Sequence, residues 1–248
     1  MKRFLSLTVI LGCVSLMSAC GQKPATGTPP ATNNTTSSST PALETFESVE
    51  AKAKAGNVDA EFELGAIYHD GQGAEKDLAK AREWFLKAAE QNDPRAQFNL
   101  GVMYYTAEDV PQDYAVAKDW FLKAADQGNT RAQFNLGVMY YRGEGMKQDL
   151  EKAYDYFIKS GSMGSAEAQY NLGVMYAKGE GTTIDVSQAY AWFEAARSFG
   201  NDKASAVITQ IESDLTPEQI KEVKQIAEDL KKAINERLTA AAKAAKAF

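Results

Sequence analysis

Apolar and polar positions repeat as a block every 36 residues over 60–203. The clearest segment occurs in four copies: AQFNLGVMYY at 96–105 and at 132–141, AQYNLGVMYA at 168–177, and the looser AEFELGAIYH at 60–69. In each copy the alanine, leucine, glycine and a tyrosine fall at i, i+4, i+5 and i+8, which is one face of a helix. A fifth, degenerate copy opens at Ala204. Self-similarity at this period is the signature of a solenoid.

Residues that end and begin helices divide every copy in two. The unit ends on a residue that tolerates left-handed backbone: Gly56, Asn92, Gly128, Gly164 and Gly200. The next residue is a favoured N-cap in each case: Asn57, Asp93, Asn129, Ser165 and Asn201. Mid-unit, a G-x-G turn breaks three of the copies, at 71–73, 143–145 and 179–181, and a second capping residue follows in all four: Asp77, Asp113, Asp149 and Asp185. We therefore predict helix A, a glycine-rich turn, helix B and a tight turn, without strands.

The consensus A-x-x-x-L-G-x-x-Y-x-x-G-x-G-x-x-x-D-x-x-x-A-x-x-W-F-x-K-A-A-x-x-G resembles the Sel1-like repeat, a relative of the tetratricopeptide repeat. The resemblance implies an all-α fold, a right-handed α/α solenoid of antiparallel helix pairs. The segments it implies are a half-repeat helix at 44–59, repeats at 60–95, 96–131, 132–167 and 168–203, and capping helices with a frayed tail at 204–248. The second copy departs from the pattern, since Ala107, Glu108 and Asp109 replace G-x-G. We expect that turn to be locally different.

A second face of helix A is predicted to line the concave groove, where helical solenoids bind partners. The predicted partner-binding residues on this face are Arg95, Asn99, Val102, Tyr105, Arg131, Asn135, Val138, Tyr141, Asn171 and Val174. The three asparagines either hydrogen-bond an extended peptide or bridge neighbouring units, because a buried asparagine needs partners in both cases. Phe98, Phe134 and Tyr170 are assigned to the core.

The N-terminus has the three-part build of an export signal. Lys2 and Arg3 precede an apolar stretch over 4–17, and small residues lead to Cys20. This resembles a bacterial lipoprotein signal, here residues 1–19, and implies acyl chains on Cys20. Residues 20–43, rich in Pro, Thr and Ser, are predicted to be the lipidated cysteine and a disordered tether. Gly21 resembles lipoproteins of the outer membrane, so we expect the protein there, facing the periplasm.

The C-terminal segment is predicted to close the solenoid. Thr216 and Gln219 form a capping box, with Pro217 at the first helical position. Apolar residues then recur at i, i+3 and i+4 spacing from Ile220 to Leu238. The simplest interpretation is a terminal cap, which solenoids require. A partner-binding helix or a dimer seam is the alternative, and a frayed tail is expected over 240–248.

The net charge and the small number of reactive side chains argue against several classes of function. The net charge of −6 argues against a nucleic-acid partner, since phosphate affinity comes from clustered Lys and Arg. One histidine, His69, and two cysteines provide little for catalysis, so we predict no enzyme activity, metal or cofactor. Residues 44–202 hold 26 acidic and 16 basic side chains, which favours a partner with a basic surface. Acidity that serves only solubility is the equal alternative.

These observations favour a lipid-anchored, monomeric envelope adaptor that binds a protein or peptide in its groove. Its contact with the membrane would be through the anchor alone. A periplasmic immunity or inhibitor protein that neutralises a toxin is the alternative, which the resemblance to exported Sel1-like proteins permits. An enzyme acting on envelope polymers is a third hypothesis, disfavoured by the scarcity of His and Cys.

Overall fold

The computed structural model describes residues 45–245, so the predicted signal, Cys20 and the tether lie outside the described residues. The described chain contains eleven helices: α1 (Phe46–Lys54), α2 (Val58–Asp70), α3 (Leu78–Glu90), α4 (Pro94–Thr106), α5 (Tyr114–Asp126), α6 (Thr130–Arg142), α7 (Leu150–Gly161), α8 (Ala166–Lys178), α9 (Val186–Ser198), α10 (Lys203–Ser213) and α11 (Pro217–Ala245). It divides into two compact units, residues 45–132 and 133–245.

Side-chain caps set the helix boundaries where the repeat pattern predicts them. Asn57 Oδ1 accepts from the backbone N–H of Ala60 at 2.9 Å, and Asn129 Oδ1 accepts from that of Ala132 at 3.0 Å. The mid-unit aspartates cap the B helices in the same way, as the predicted caps require: Asp77, Asp113, Asp149 and Asp185. These bonds satisfy N–H groups that the first helical turn would otherwise leave unpaired. The helix A–turn–helix B division is confirmed.

The turn after α4 keeps the backbone conformation of its equivalents, so the expected local difference is wrong for the backbone. Ala107 has φ 62° and ψ 40°, close to the φ 72° and ψ 33° of Gly179 at the equivalent position. Asp109 likewise has a positive φ of 64°, against 69° at Gly181. The N–H of Glu108 donates to Met103 O at 2.9 Å, as Glu180 donates to Met175 O at 3.0 Å. The turn therefore keeps the left-handed conformation and its backbone hydrogen bond without glycine.

In the unit 45–132, each A helix packs on the following B helix through the glycine that recurs in the repeat. A Cβ placed on Gly101 of α4 would lie 2.5 Å from Cδ1 of Phe121 in α5, so an alanine there would not fit without movement. Gly65 of α2 has the same relation to Phe85 of α3, at 2.7 Å. Leu100 is fully buried beside this contact. The close approach therefore explains glycine inside a helix, where it costs roughly 1 kcal/mol against alanine.

In the unit 133–245, the last helix pair is covered by α10 and α11. α11 packs against α9, and Val223 and Ala227 join the core formed by Tyr190 and Phe193. Tyr190 donates from its hydroxyl to Glu212 Oε1 at 2.7 Å, and Lys224 Nζ lies 2.9 Å from the same oxygen. The predicted cap is thus held by apolar packing and by the polar contacts of Glu212.

Two predictions for the C-terminal segment can be compared with the structure. The capping box forms, since Thr216 N–H donates to Gln219 Oε1 at 2.9 Å and Gln219 N–H donates back to Thr216 Oγ1 at 3.3 Å. Helix α11 continues to Ala245, so residues 240–245 are helical, and fraying of this tail stays a prediction. Alanine and lysine have high intrinsic helix propensity, which lets the helix continue although these residues are exposed.

Candidate functional site

The predicted groove face of α4 is partly open. Arg95 is exposed and Asn99 is half-buried, whereas Val102 and Tyr105 are buried. Arg131, which belongs to the same unit, is half-buried. Only Arg95, Asn99 and Arg131 of the predicted set in this unit therefore reach solvent to an appreciable degree.

The equivalent face in the unit 133–245 is largely closed. Asn135 is 1% exposed and Asn171 is 2% exposed, and both take part in interactions within the protein. Val138 and Val174 are buried as well. Tyr141 is half-buried, and its hydroxyl donates to Glu180 Oε2 at 2.6 Å. The asparagines of this unit are thus packed in the interior, while Phe134 and Tyr170 are buried as assigned to the core.

Arg95 is held against its own unit by two carboxylates and a ring. Its Nη2 lies 2.6 Å from Asp59 Oδ1, and the guanidinium also bonds the carboxylate of Asp93. The guanidinium carbon lies 4.4 Å from the ring centre of Phe62. The hydrogen bond to Asp93, then that to Asp59, raises the pKa of Arg95 above its ordinary value. Arg95 therefore bridges α2 and α4, and its charge is already compensated.

A carboxylate that sequence reasoning missed lies beside this bridge. Glu63 follows Asp59 by one helical turn on α2 and occupies the position that Asn99 occupies on α4, 36 residues later. Glu63 is exposed, and within residues 45–245 its side chain forms neither an ion pair nor a hydrogen bond. The 36-residue register was the signal that could have found it.

The turn after α4 makes further side-chain contacts that were not predicted from the sequence. His69 Nε2 lies 3.0 Å from Glu108 Oε2 of the turn after α4, and its Nδ1 lies 2.7 Å from Asp70 Oδ1. Arg82 Nε donates to Asp109 Oδ2 of the same turn at 3.0 Å. The two acidic residues that replace the G-x-G pattern thus tie this turn to the preceding helix pair. His69 thus joins α2 to the turn after α4.

The largest pKa shifts among the described residues belong to tyrosine hydroxyls and do not mark a reactive site. Burial, and then the hydrogen bond to Glu212, raises the pKa of Tyr190 far above its ordinary value. Hydrogen bonds from Lys224 and then Tyr190 lower the pKa of Glu212. Burial, and then the hydrogen bond of 2.7 Å with the Tyr176 hydroxyl, also raises the pKa of Tyr154 far above its ordinary value. Each hydroxyl bonds a side chain of the next helix, so these groups hold helices together.

Other site chemistries find little support in the described chain. Residues 45–245 contain no group of three or more His, Cys, Asp or Glu side chains that could hold a metal ion. None of the helices in that stretch is both long and apolar enough to cross a membrane. A shallow cavity of about 790 Å³ lies beside α11 and the end of α9, and charged residues such as Lys231, Lys232 and Glu236 line it. Its lining residues form no converging set of buried polar groups.

Four consecutive segments match the family model described as Sel1 repeat: residues 58–93, 94–129, 130–165 and 166–198. The chain belongs to the Sel1 repeat family. The matched segments begin two residues before the repeats predicted from the sequence and keep the same 36-residue period. With only helices among the described residues as regular structure, the fold is the all-α solenoid of Sel1-like helix pairs that the resemblance implied.

Solved structures of Sel1 repeat proteins are similar to this chain. The protective antigen c5321 of uropathogenic Escherichia coli, described as having an SLR fold, is 39% identical with a TM-score of 0.64, over 65% of this chain and 34% of the antigen. A Sel1 repeat protein from Oxalobacter formigenes is 36% identical with a TM-score of 0.62, over 67% of this chain and 48% of that protein. This Sel1 chain therefore matches at most about half the length of either protein.

A curated relative shows a shorter match. The ERAD-associated E3 ubiquitin-protein ligase component HRD3A of Arabidopsis thaliana is 40% identical over 53 residues, which are 21% of this chain and 8% of that protein. The match is restricted to a small part of both proteins. It supports the repeat itself rather than any shared activity of the whole chains.

Proposed function

We propose that this Sel1 repeat protein is a lipid-anchored adaptor of the cell envelope that binds a protein or peptide partner. Sel1 repeat proteins mediate protein–protein interactions, and four repeats make up most of the described chain. The observation that carries the proposal is the partly open face of α4, where Arg95 and Asn99 reach solvent. The lipoprotein-like signal at 1–19, followed by Cys20, supports the envelope location and the anchor.

The charge of the unit 45–132 supports a partner with a basic surface. Its sequence holds 16 acidic and 10 basic side chains. Complementary charge raises association rates and suppresses wrong partners more than it adds affinity. The adaptor should therefore associate with its partner faster at low than at high ionic strength.

Crosslinking and affinity capture from intact membranes, followed by mass spectrometry, tests the adaptor role. The wild type is expected to capture a defined envelope protein, and raising the ionic strength should weaken that capture. A toxin as the captured protein would favour the immunity alternative. Failure to enrich any protein over a capture with an unrelated lipoprotein would contradict binding.

The anchor is tested separately by Cys20→Ser. The wild type should incorporate a fatty-acid analogue and sediment with membranes, whereas the variant should do neither or remain as a precursor. Ser18→Ala, which changes a small residue of the signal and keeps Cys20, is the control and should behave like the wild type. Equal labelling of wild type and Cys20→Ser would refute the lipid anchor.

A further inference from the structure

The open face of the unit 45–132 is a strip formed by α2 and α4. Asp59 of α2 and Arg95 of α4 hold equivalent positions in successive repeats, and their contact of 2.6 Å shows that the two helices are neighbours at this level. Glu63 and Asn99 each follow by four residues, so they lie one helical turn further along the same strip. The repeat register therefore puts a carboxylate and an amide at equivalent positions of α2 and α4, one turn beyond the Asp59–Arg95 contact.

Charges on the strip are unequally compensated. The guanidinium of Arg95 is bound by Asp59 and Asp93, and it covers the ring of Phe62. Glu63 is exposed and has no counter-charge within the described residues. Asn99 is half-buried, and its side chain has no hydrogen-bond partner in the same part of the chain. One negative charge and one amide are thus available to a ligand.

Some apolar surface lies next to these two polar groups. Ala66 of α2 is half-buried, and Phe62 of α2, also half-buried, is shared with the guanidinium of Arg95. A side chain with a long aliphatic stem and a cationic end can lie on such a surface while its charge reaches a carboxylate. Lysine and arginine have this form, and an acidic or purely apolar side chain would leave Glu63 uncompensated.

We propose that the α2–α4 strip binds an extended, cationic peptide segment of the partner. Glu63 pairs with a lysine or arginine side chain of the segment, and the amide of Asn99 bonds its backbone. The inference rests on the proposed adaptor function and names the chemistry of the partner. The corresponding asparagines of the other unit, Asn135 and Asn171, are buried and take no part.

Fluorescence anisotropy with two labelled peptides tests this on the full-length protein in detergent. Both peptides are seven residues long and alanine-based, with arginine or glutamine at the centre. The arginine peptide should bind the wild type about two- to fivefold more tightly than the glutamine peptide, as an exposed ion pair allows. Glu63→Gln should abolish that difference. Asn99→Ala should weaken the binding of both peptides equally.

Glu83→Gln is the matched control, because Glu83 lies on α3 in the same unit and has no ion pair within the described residues. It should leave the preference for arginine unchanged. Equal binding of the two peptides to the wild type would overturn the inference, as would an equal loss of preference in Glu83→Gln and Glu63→Gln. If the peptides show no preference while capture from membranes still succeeds, the cationic-peptide inference fails and the adaptor function stands. A preference for arginine without any captured protein would support the cationic-peptide inference and contradict the adaptor function.

Discussion

The same ten residues, AQFNLGVMYY, occupy α4 at 96–105 and α6 at 132–141, yet their surroundings differ. Asn99 is half-buried, whereas Asn135 is 1% exposed. The tyrosine that ends each segment differs in the opposite way, since Tyr105 of the first copy is 5% exposed and Tyr141 of the second is half-buried. The helix and its core positions are common to both copies, while exposure of the groove face depends on neighbouring segments. Identical ten-residue segments can therefore present different side chains to solvent.

The largest expected loss of stability is at a leucine that is buried in both copies. Leu100 and Leu136 are both fully buried. Leu100→Ala and Leu136→Ala should each lower the free energy of unfolding by about 2–5 kcal/mol, through lost burial and the cavity that remains. Thermal and urea unfolding of the two variants would measure it. A cost below about 1 kcal/mol at one site only would show that the two cores are not equivalent.

A second shared position is the helix A glycine. A Cβ on Gly101 would lie 2.5 Å from Phe121 Cδ1, and one on Gly137 would lie 2.6 Å from Phe157 Cδ1. Gly101→Ala and Gly137→Ala should each destabilise by about 1–3 kcal/mol, because overpacking outweighs the gain in helix propensity. Pairing each change with a smaller ring partner, Phe121→Leu or Phe157→Leu, should recover part of the loss. Absence of any recovery would contradict the steric explanation.

The asparagines separate the two copies. Asn135→Ala should cost about 1–3 kcal/mol, since it removes a buried polar side chain and the interaction that this side chain makes within the protein. Asn99→Ala should change the free energy of unfolding by no more than about 0.5 kcal/mol, as expected for a partly exposed side chain without hydrogen bonds among the described residues. Circular dichroism melts of both variants would measure the difference. Equal destabilisation would mean that Asn99 is structural and would remove it from the candidate site.

Much of this fold could be predicted from the sequence, because each helix boundary has its own local signal. Asn57, Asp93 and Thr216 cap the helices that the pattern assigns to them. The difference between Asn99 and Asn135 could not be predicted, since the local sequence is the same and burial depends on segments far along the chain. The turn at Ala107 shows the same limit, because Ala107 takes a positive φ although alanine has a low preference for it.

A smaller effect is expected where the first A helix departs from the later ones. Gln97 is buried, accepts from Gln127 Nε2 at 2.8 Å and donates to Ala89 O at 3.3 Å. Glu61 holds the equivalent position on α2 and accepts from Gln91 Nε2 at 2.8 Å, but an ionised carboxylate cannot donate. Glu61→Gln should therefore stabilise the unit by about 0.5–1.5 kcal/mol. Chemical unfolding near neutral pH would measure this, and a destabilised variant would contradict it.

The smallest effect concerns the turns that follow α4 and α6. Ala107 has a φ of 62°, and Gly143 holds the equivalent position with a φ of 72°. An L-residue in this conformation costs roughly 1–2 kcal/mol, and glycine costs roughly 0.5–1 kcal/mol in lost chain entropy. Ala107→Gly should therefore stabilise by only about 0.5 kcal/mol. Gly143→Ala should destabilise by more, because its Cβ would also lie 3.0 Å from the backbone nitrogen of Gln148. Urea unfolding of both variants would measure whether each change raises or lowers the free energy of unfolding. A destabilised Ala107→Gly would show that the alanine makes contacts that outweigh the cost of its backbone conformation.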